Sequence, residues 1–571
     1  MSIAQQTIRP GRLESAYREE LNRLTRDGAI EKIWAKQPEV WKSDAAHAKV
    51  IRNRLGWLEV MAPMRGDVEA LHAFASDARK AGFADVVLLG MGGSSLAPEV
   101  FSLTFPRPAG SRFFVLDSTD PASVLAAERA VDLRRTLFIV ASKSGKTVET
   151  LSQFHYFRSR LEAAGVSRAG ANFIAITDAG SYLDQLASEN NFRHTFRNPA
   201  DIGGRYSALS YFGLVPAALC GVSIAAVLDS ALEMSQACGS TAPAENNSAL
   251  ELGALLGAAA REGADKVLLL ATASLAPLGN WIEQLVAEST GKEGKGIIPV
   301  AGEVPGPAEV FGEESVIVIL SLAGEERAAL HEVAAAAAAH GIPVVNIQLG
   351  EREQLGGEFF KWELATAVAG VVLQVNPFDE PNVQEAKDLT ARVLDEFQRT
   401  GAMPLGRPHS SHDGVELFIG EVFAGRLAAP QAAESLRHFL AGRRGSDYLA
   451  LLAFLDRSPA NEQRLQQICV LLRDHLKMPV LLGFGPRYLH SIGQLYKGGP
   501  ASGMFVEITV ADSEDVPVPG AAYTFGQLKL AQALGDLQAL ERHGKPAIRL
   551  HLARGAELGL AALRQLFEEA L

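Results

Sequence analysis

The stretch TLFIVASKSGKTVET (residues 136–150) decides the fold. It begins as a nearly unbroken apolar run, turns through serine, lysine and glycine, and then takes up a helical pattern. A strand with one wet face alternates apolar and polar residues. An unbroken apolar run has both faces covered, as in a parallel strand between two layers of helices. The same texture recurs in VVLLGMGGSSL (86–96), FFVLDSTDP (113–121), NFIAITDAG (172–180) and KVLLLATAS (266–274). Repeated strand-to-helix passages of this kind imply a doubly wound α/β architecture.

Upstream, LESAYREELNRL (13–24) spaces its apolar residues for a helix, and residues 1–60 read as helices. Downstream, a second block opens near Ala244. It holds KVLLLATAS, ESVIVILSLAG (314–324), the alanine-rich helix EERAALHEVAAAAAAHG (325–341) and IPVVNIQL (342–349), an order that implies a second parallel sheet. Breaker signals in RTGAMPLGRPHSSHDG (399–414) and RLAAPQAAES (426–435) place a boundary around residues 395–430. The last block has MPVLLGFGP (478–486), MFVEITV (504–510) and AIRLHLA (547–553) as strands, with FGQLKLAQALGDLQALERHG (525–544) as a helix. FFKWELATAVAG (359–370) and YTFGQLKLAQALG (523–535) sit in similar helical contexts, a weak sign of a long repeat. The expected organisation is N-terminal helices and a first parallel-sheet α/β domain over 1–240, a second over 241–400, and a C-terminal α/β block over 401–571.

The chain has 571 residues, 47% apolar and 21% charged, the composition of a globular protein of several domains. Its 66 acidic and 54 basic side chains give a net charge of −12. That balance repels a phosphate-rich polymer, so nucleic acid is not an expected partner, although a local pocket can still take a small anion. Cys220, Cys238 and Cys469 are too few and too scattered for a disulfide framework or a zinc site, and fit a reducing compartment. The N-terminus lacks the apolar core of a secretory signal, and apolar runs such as 333–339 fall far short of the ~20 residues that span a bilayer. A cytoplasmic protein without a membrane partner is expected.

Four segments carry residues suited to chemistry. GMGGSSL (90–96) passes from strand to helix, where glycines let the backbone approach a ligand and free N–H groups attract an anion; a tight turn alone would also need them. SKSGKTVET (142–150) packs Ser142, Ser144 and Thr147 around Gly145, enough hydroxyls for several oxygens of one phosphate monoester, with Lys143 and Lys146 adding positive charge. It lacks the Walker A spacing, and a plain Ser/Thr-rich helix cap is the alternative. GGRYS (203–207) offers Arg205 for an oxyanion or a carbonyl oxygen, although a lone arginine is more often structural. In WIEQLVAESTGKEGKG (281–296), Gln284 and Glu288 share one helix face. Glu288 lies where the apolar helix gives way to small residues, so it is either a desolvated base or a helix-end acid paired with Lys292.

These segments, with NPFDEPNVQEAK (376–387), occur in the order GMGGSS, SKSGKT-x-E, GGRYS, Q-x-x-x-E-S-x-GK, NPFDEPNVQEAK. Over roughly 85–395 the chain thereby resembles phosphoglucose isomerases, most closely the isomerase portion of bacterial transaldolase fusions. EKIWAKQPEVWK (31–42) and GFGPRYLHSIGQLYKGGP (483–500) are similar to that subgroup, and no transaldolase portion is expected in this chain. The resemblance implies two sugar-isomerase (SIS-type) domains and interconversion of glucose 6-phosphate and fructose 6-phosphate through ring opening and an enediolate. No metal or redox cofactor is expected, and a homodimer is implied. It further implies phosphate binding by Gly93, Ser94, Ser142, Lys143, Ser144 and Thr147, with Glu149 near the site. Arg205 matches the arginine that stabilises the enediolate, Gln284 a substrate-binding glutamine and Glu288 the base. Lys387 and His490 match the pair that opens the sugar ring.

Three positions depart from the family pattern. Lys146 stands where most relatives have threonine, and Glu380 replaces a glutamine that contacts substrate. His490 follows the lysine motif rather than preceding it, with His340, His409 and His412 as competitors for its role. Two other readings remain open: an isomerase that also accepts mannose 6-phosphate, where Glu380 would bear on the preference, and a sugar-phosphate-binding protein without catalysis.

Overall fold

The computed structural model describes residues 3–571 except 109, 308–309, 421–422, 424 and 426–428. Part of the boundary placed around 395–430 therefore lies outside the described residues. The chain divides into two compact units, one of residues 1–117, 128–308 and 313–380, the other of 118–127, 309–312 and 381–571.

The first unit holds two five-stranded sheets. In one, β2 (Asp85–Gly90), β3 (Arg112–Leu116), β4 (Thr136–Ala141), β5 (Phe173–Asp178) and β6 (His194–Asn198) run parallel in the order β3-β2-β4-β5-β6. β2 and β4 are buried at every position, as their unbroken apolar runs require. The chain leaves β2 toward β3 and then crosses to the opposite side for β4. The gap between β2 and β4 is therefore the topological switch point where α/β sheets bind ligands. Gly90 and Ala141 are register partners there, so the loops GMGGSS and SKSGKT emerge side by side from adjacent strand ends.

The second sheet has the order β1-β10-β9-β7-β8, with β7 (Lys266–Ala271), β8 (Ile298–Val300), β9 (Ser315–Leu322) and β10 (Val344–Leu349) parallel. Its edge is β1 (Gln5–Arg9), antiparallel to β10. The N-terminus is thus not helical throughout. QQTIR alternates exposed and half-buried positions, and its backbone is held by an existing strand rather than by its own pattern. The helix Leu355–Leu373 is buried along its whole length and belongs to the apolar core beneath both sheets.

The second unit is a six-stranded sheet of order β11-β12-β16-β15-β13-β14. β13 (Tyr448–Phe454), β14 (Val480–Phe484), β15 (Gly503–Val510) and β16 (Ala547–Leu552) are parallel. β11 (Ser410–His412) and β12 (Val415–Ile419) form a hairpin, inside a region that read as breakers, and β12 adds antiparallel to β16. The helix Phe525–Arg542 starts with a capping box, in which Thr524 and Gln527 satisfy each other's backbone. All three cysteines are buried, and none is in a disulfide. Among the described residues, no helix is long and apolar enough to cross a membrane.

Candidate active site

Arg205 organises the first unit's polar centre. It sits on a single 3-10 turn, Gly204–Tyr206, and is only 4% exposed. Its Nε donates to Ser289 Oγ (2.9 Å), and its Nη2 donates to the carbonyls of Pro377 (2.8 Å) and Asp379 (2.9 Å). Nη1 faces two carboxylates, Glu380 at 3.1 Å and Glu288 at 3.3 Å. A guanidinium has five N–H donors; here Nε, Nη1 and Nη2 all donate to oxygens, and Glu288 adds an ion pair at Nη1. The arginine is therefore neither a surface residue nor free to swing.

Two glycine turns meet beside it. A Cβ on Gly93 would lie 2.2 Å from the Gly204 carbonyl oxygen, so only glycine allows GMGGSS to pack backbone to backbone against GGRYS. Ser94 ends the 3-10 turn Gly92–Ser94, which carries Gly93, and is half-buried.

Gln284 and Glu288 come from the helix Ala276–Thr290, which begins with proline in its first turn and stops at Gly291. Gln284 Nε2 donates to Glu288 Oε2 at 3.1 Å, the i,i+4 contact expected from spacing. Glu288 is 9% exposed. Burial raises its pKa above the usual carboxylate range; Arg205 opposes that shift and the negative charge of Glu380 reinforces it. For Arg205, burial works against the charge, but Glu288 and Glu380 outweigh it and the guanidinium stays charged. Lys292 does not pair with Glu288. Its ammonium meets Asp379 at 2.8 Å and the Asn376 carbonyl, and burial, with Arg205 nearby, lowers its pKa to about 8. Asp379 also lies 3.2 Å from His47 Nδ1.

The SKSGKT loop is tied from within. Ser142 and Thr147 hydroxyls are 2.9 Å apart, the Gly145 amide donates to Ser142 Oγ (3.1 Å), and the Lys146 amide donates to Ser144 Oγ (3.3 Å). A Cβ on Gly145 would lie 2.2 Å from the Leu183 nitrogen, and its φ is +71°, so the turn requires glycine twice over. Thr147 stands at the N-cap of the helix Val148–Ala163 without a capping side-chain bond, which leaves first-turn amides for an anion. Ser144 and Lys146 are exposed there, whereas Glu149 is buried in the helix's first turn. Lys143 is engaged elsewhere, with Asp178 at 2.6 Å and the Ala200 carbonyl at 2.9 Å.

Lys387 and His490 belong to the second unit. Lys387 is exposed in the second turn of the helix Val383–Thr400, and His490 is half-buried at the end of the 3-10 turn Arg487–His490. The competing histidines have structural contacts. His340 Nδ1 lies 2.8 Å from the Ala336 carbonyl, His409 Nε2 lies 2.9 Å from the Ala429 carbonyl, and His412 lies 3.6 Å from Glu569.

The structure thus gathers Arg205, Gln284, Glu288 and Glu380 into one cluster with Gly93 packed against its turn. Sequence reading missed Ser289, Asp379, the role of Lys292, and Tyr206, whose hydroxyl lies 3.2 Å from Ser289 Oγ. Ser289 and Asp379 stand inside the quoted motifs, but their partner Arg205 is 84 and 174 residues away, so no local pattern announces them.

Comparison with known proteins agrees with this architecture. The profile of the phosphoglucose isomerase family matches residues 57–313. The glucose-6-phosphate isomerase of Rubrobacter xylanophilus is 30% identical over 372 residues, 57% of this chain and 86% of that one. That of Methanocaldococcus jannaschii is 27% identical over 345 residues, 55% and 85% of the two chains. Among solved structures, a hypothetical protein of Thermus thermophilus superposes with a TM-score of 0.58 at 25% identity, covering 68% of this chain and all of that one. A glucose-6-phosphate isomerase of Chlamydia trachomatis superposes at 0.56 and 18% identity, covering 69% and 88%, a likeness of fold. The parallel sheets and these superpositions give the chain an α/β fold shared with a solved sugar-phosphate isomerase. The chain belongs to the phosphoglucose isomerase family.

Proposed function

We propose that the chain interconverts glucose 6-phosphate and fructose 6-phosphate, with Glu288 as the base. The observation that carries this reading is a buried carboxylate, its pKa raised, held 3.3 Å from an arginine that is fixed on every side. Proton transfer between C2 and C1 needs a base that is stronger than an ordinary carboxylate and a cation beside the developing oxyanion. Glu288 takes the C2 proton of the open-chain aldose, the electron pair left behind forms the C1–C2 double bond, and the enediolate oxygen is stabilised by Arg205. The carbonyl pair moves onto O1, the C2 hydroxyl proton passes from O2 to O1, and the protonated Glu288 returns its proton to C1 as the C2–O bond becomes the carbonyl, giving the ketose. Gln284 orients the carboxylate, and Glu380, on the same nitrogen of Arg205, is the exchangeable partner that an oxyanion displaces.

The phosphate is assigned to Gly93, Ser94 and the loop of Ser142, Ser144 and Thr147, with Lys143 and Lys146 adding field rather than direct contact. Ring opening is assigned to Lys387 and His490. The reaction moves hydrogen as a proton, so it makes no demand for a redox cofactor. The test is conversion of fructose 6-phosphate to glucose 6-phosphate, coupled to NADP reduction by an added dehydrogenase. Robust turnover in the wild type and a fall of ~10²–10⁴ in Glu288→Gln are expected. A folded wild type without turnover overturns the reading.

A further inference from the structure

Gln494 lies in the LHSIGQ motif, and neither the chemistry nor the phosphate grip uses it. It is 0% exposed, and its amide makes a reciprocal pair with one residue. The Asn382 backbone N–H donates to Gln494 Oε1 at 2.9 Å, and Gln494 Nε2 donates to Asn382 Oδ1 at 2.8 Å. Asn382 is the N-cap residue of the helix Val383–Thr400, and its side chain caps nothing on that helix. The cap is instead clamped from across the unit, by a side chain on the helix Gly493–Gly498 that directly follows His490.

The histidine segment is fixed on its other side as well. Tyr488 Oη donates to Asp536 Oδ2 at 2.6 Å, and Lys497 Nζ meets Asp536 Oδ1 at 2.5 Å. Lys497 Nζ also donates to the Gly493 carbonyl at 3.2 Å. His490 therefore sits between two anchored residues, Tyr488 and Gln494, and the second anchor is the start of the helix that carries Lys387.

We infer that Gln494 is a positioning residue that sets Lys387 and His490 at a fixed distance, so that the two act on the sugar ring as one unit. The inference rests on the assignment of ring opening to that pair. Ring opening moves a proton onto the ring oxygen and another off the anomeric hydroxyl, so both groups must be placed at once, and a displacement of about 1 Å is enough to cost ~10²-fold. A buried amide with both ends hydrogen-bonded provides such stiffness, because losing either bond leaves a buried polar group unsatisfied.

The experiment uses the full-length protein carrying Glu288→Gln, which blocks proton transfer, and exchange NMR on glucose 6-phosphate. Interconversion of its two anomers then reports ring opening alone. Enzyme-catalysed anomer exchange in Glu288→Gln alone supports the underlying assignment, and its absence overturns that assignment. Adding Gln494→Ala is expected to lower the exchange rate by about 10- to 100-fold. Gln494→Glu is expected to restore it, because a rotated Asn382 amide can donate to the new carboxylate. Asn382→Ala, a change at the helix end that tolerates poor folding better, should match Gln494→Ala, and the double variant should be no slower than either one. Unchanged anomer exchange in folded Gln494→Ala, or additive losses in the double variant, overturns the positioning role.

Discussion

In the first unit, Arg205 draws Glu288 and Glu380 to one guanidinium nitrogen, and the Glu380 side chain remains 45% exposed. In the second unit, Asp536 draws Lys497 and Tyr488 together in a place closed to solvent. Glu507 on β15 lies within electrostatic reach of that group, opposite Arg549 on β16 and 0% exposed. Both clusters bury charge, which costs free energy unless pairing compensates. The first keeps one partner that water or a ligand can replace, which suits a site where charge develops and disappears. The second has no exchangeable member, which suits an anchor. An open cluster is where chemistry is expected, and a closed one is where geometry is held.

The largest effect that would break this contrast is at Arg205. Arg205→Ala should lower kcat by ~10²–10³ as an oxyanion stabiliser is lost, with circular dichroism checking that the fold persists. A nearly normal kcat would reduce Arg205 to a structural tie. Next, Ser142→Ala with Thr147→Ala should raise KM by about 10- to 100-fold through lost charge-assisted bonds while kcat changes less. An effect on kcat alone would move the loop out of the binding role.

A smaller effect sharpens the electrostatics of the open cluster. Burial and the negative charge of Glu380 both raise the Glu288 pKa, so the acidic limb of kcat/KM should lie above the usual carboxylate range. Glu380→Gln removes the like charge, and that limb should move to lower pH by an amount on the order of one unit. An unmoved limb would mean that Glu380 does not act on the base.

The smallest effect concerns the closed cluster. Neither carboxylate oxygen of Glu507 accepts a hydrogen bond, and burial raises its pKa well above the usual range. The folded chain then keeps a proton that the unfolded chain gives up above the ordinary carboxylate value. Stability should therefore fall as pH rises through that window, with a slope of at most about 1.4 kcal/mol per unit. Melting temperatures recorded between about pH 5 and 8 should slope less in Glu507→Gln. An identical slope would show that another group titrates there.

Much of the fold was legible because both-sided burial leaves a simple mark. TLFIVA and DVVLLG are apolar at nearly every position since helices cover both faces of β4 and β2. QQTIR carries no such mark, and its strand exists because β10 offers an edge. The hairpin at 410–419 hides among glycine and proline for the same reason: β16 recruits it. At the site, the i,i+4 pairing of Gln284 with Glu288 was readable from spacing. The bonds that immobilise Arg205 were not, since their acceptors at Pro377 and Asp379 are brought in by tertiary packing. Gln494 was likewise visible only as a letter in a motif until Asn382, 112 residues before it, came into contact.

The central claim is that hydrogen moves as a proton through Glu288. The direct test is exchange of the C2 hydrogen of glucose 6-phosphate with solvent in deuterium oxide, followed by NMR in wild type and in Glu288→Gln. Deuterium should enter C2 in the wild type, and the rate should fall by at least ~10²-fold in the variant while the fold is kept. A variant that retains more than about a tenth of the wild-type exchange would contradict the assignment of the base.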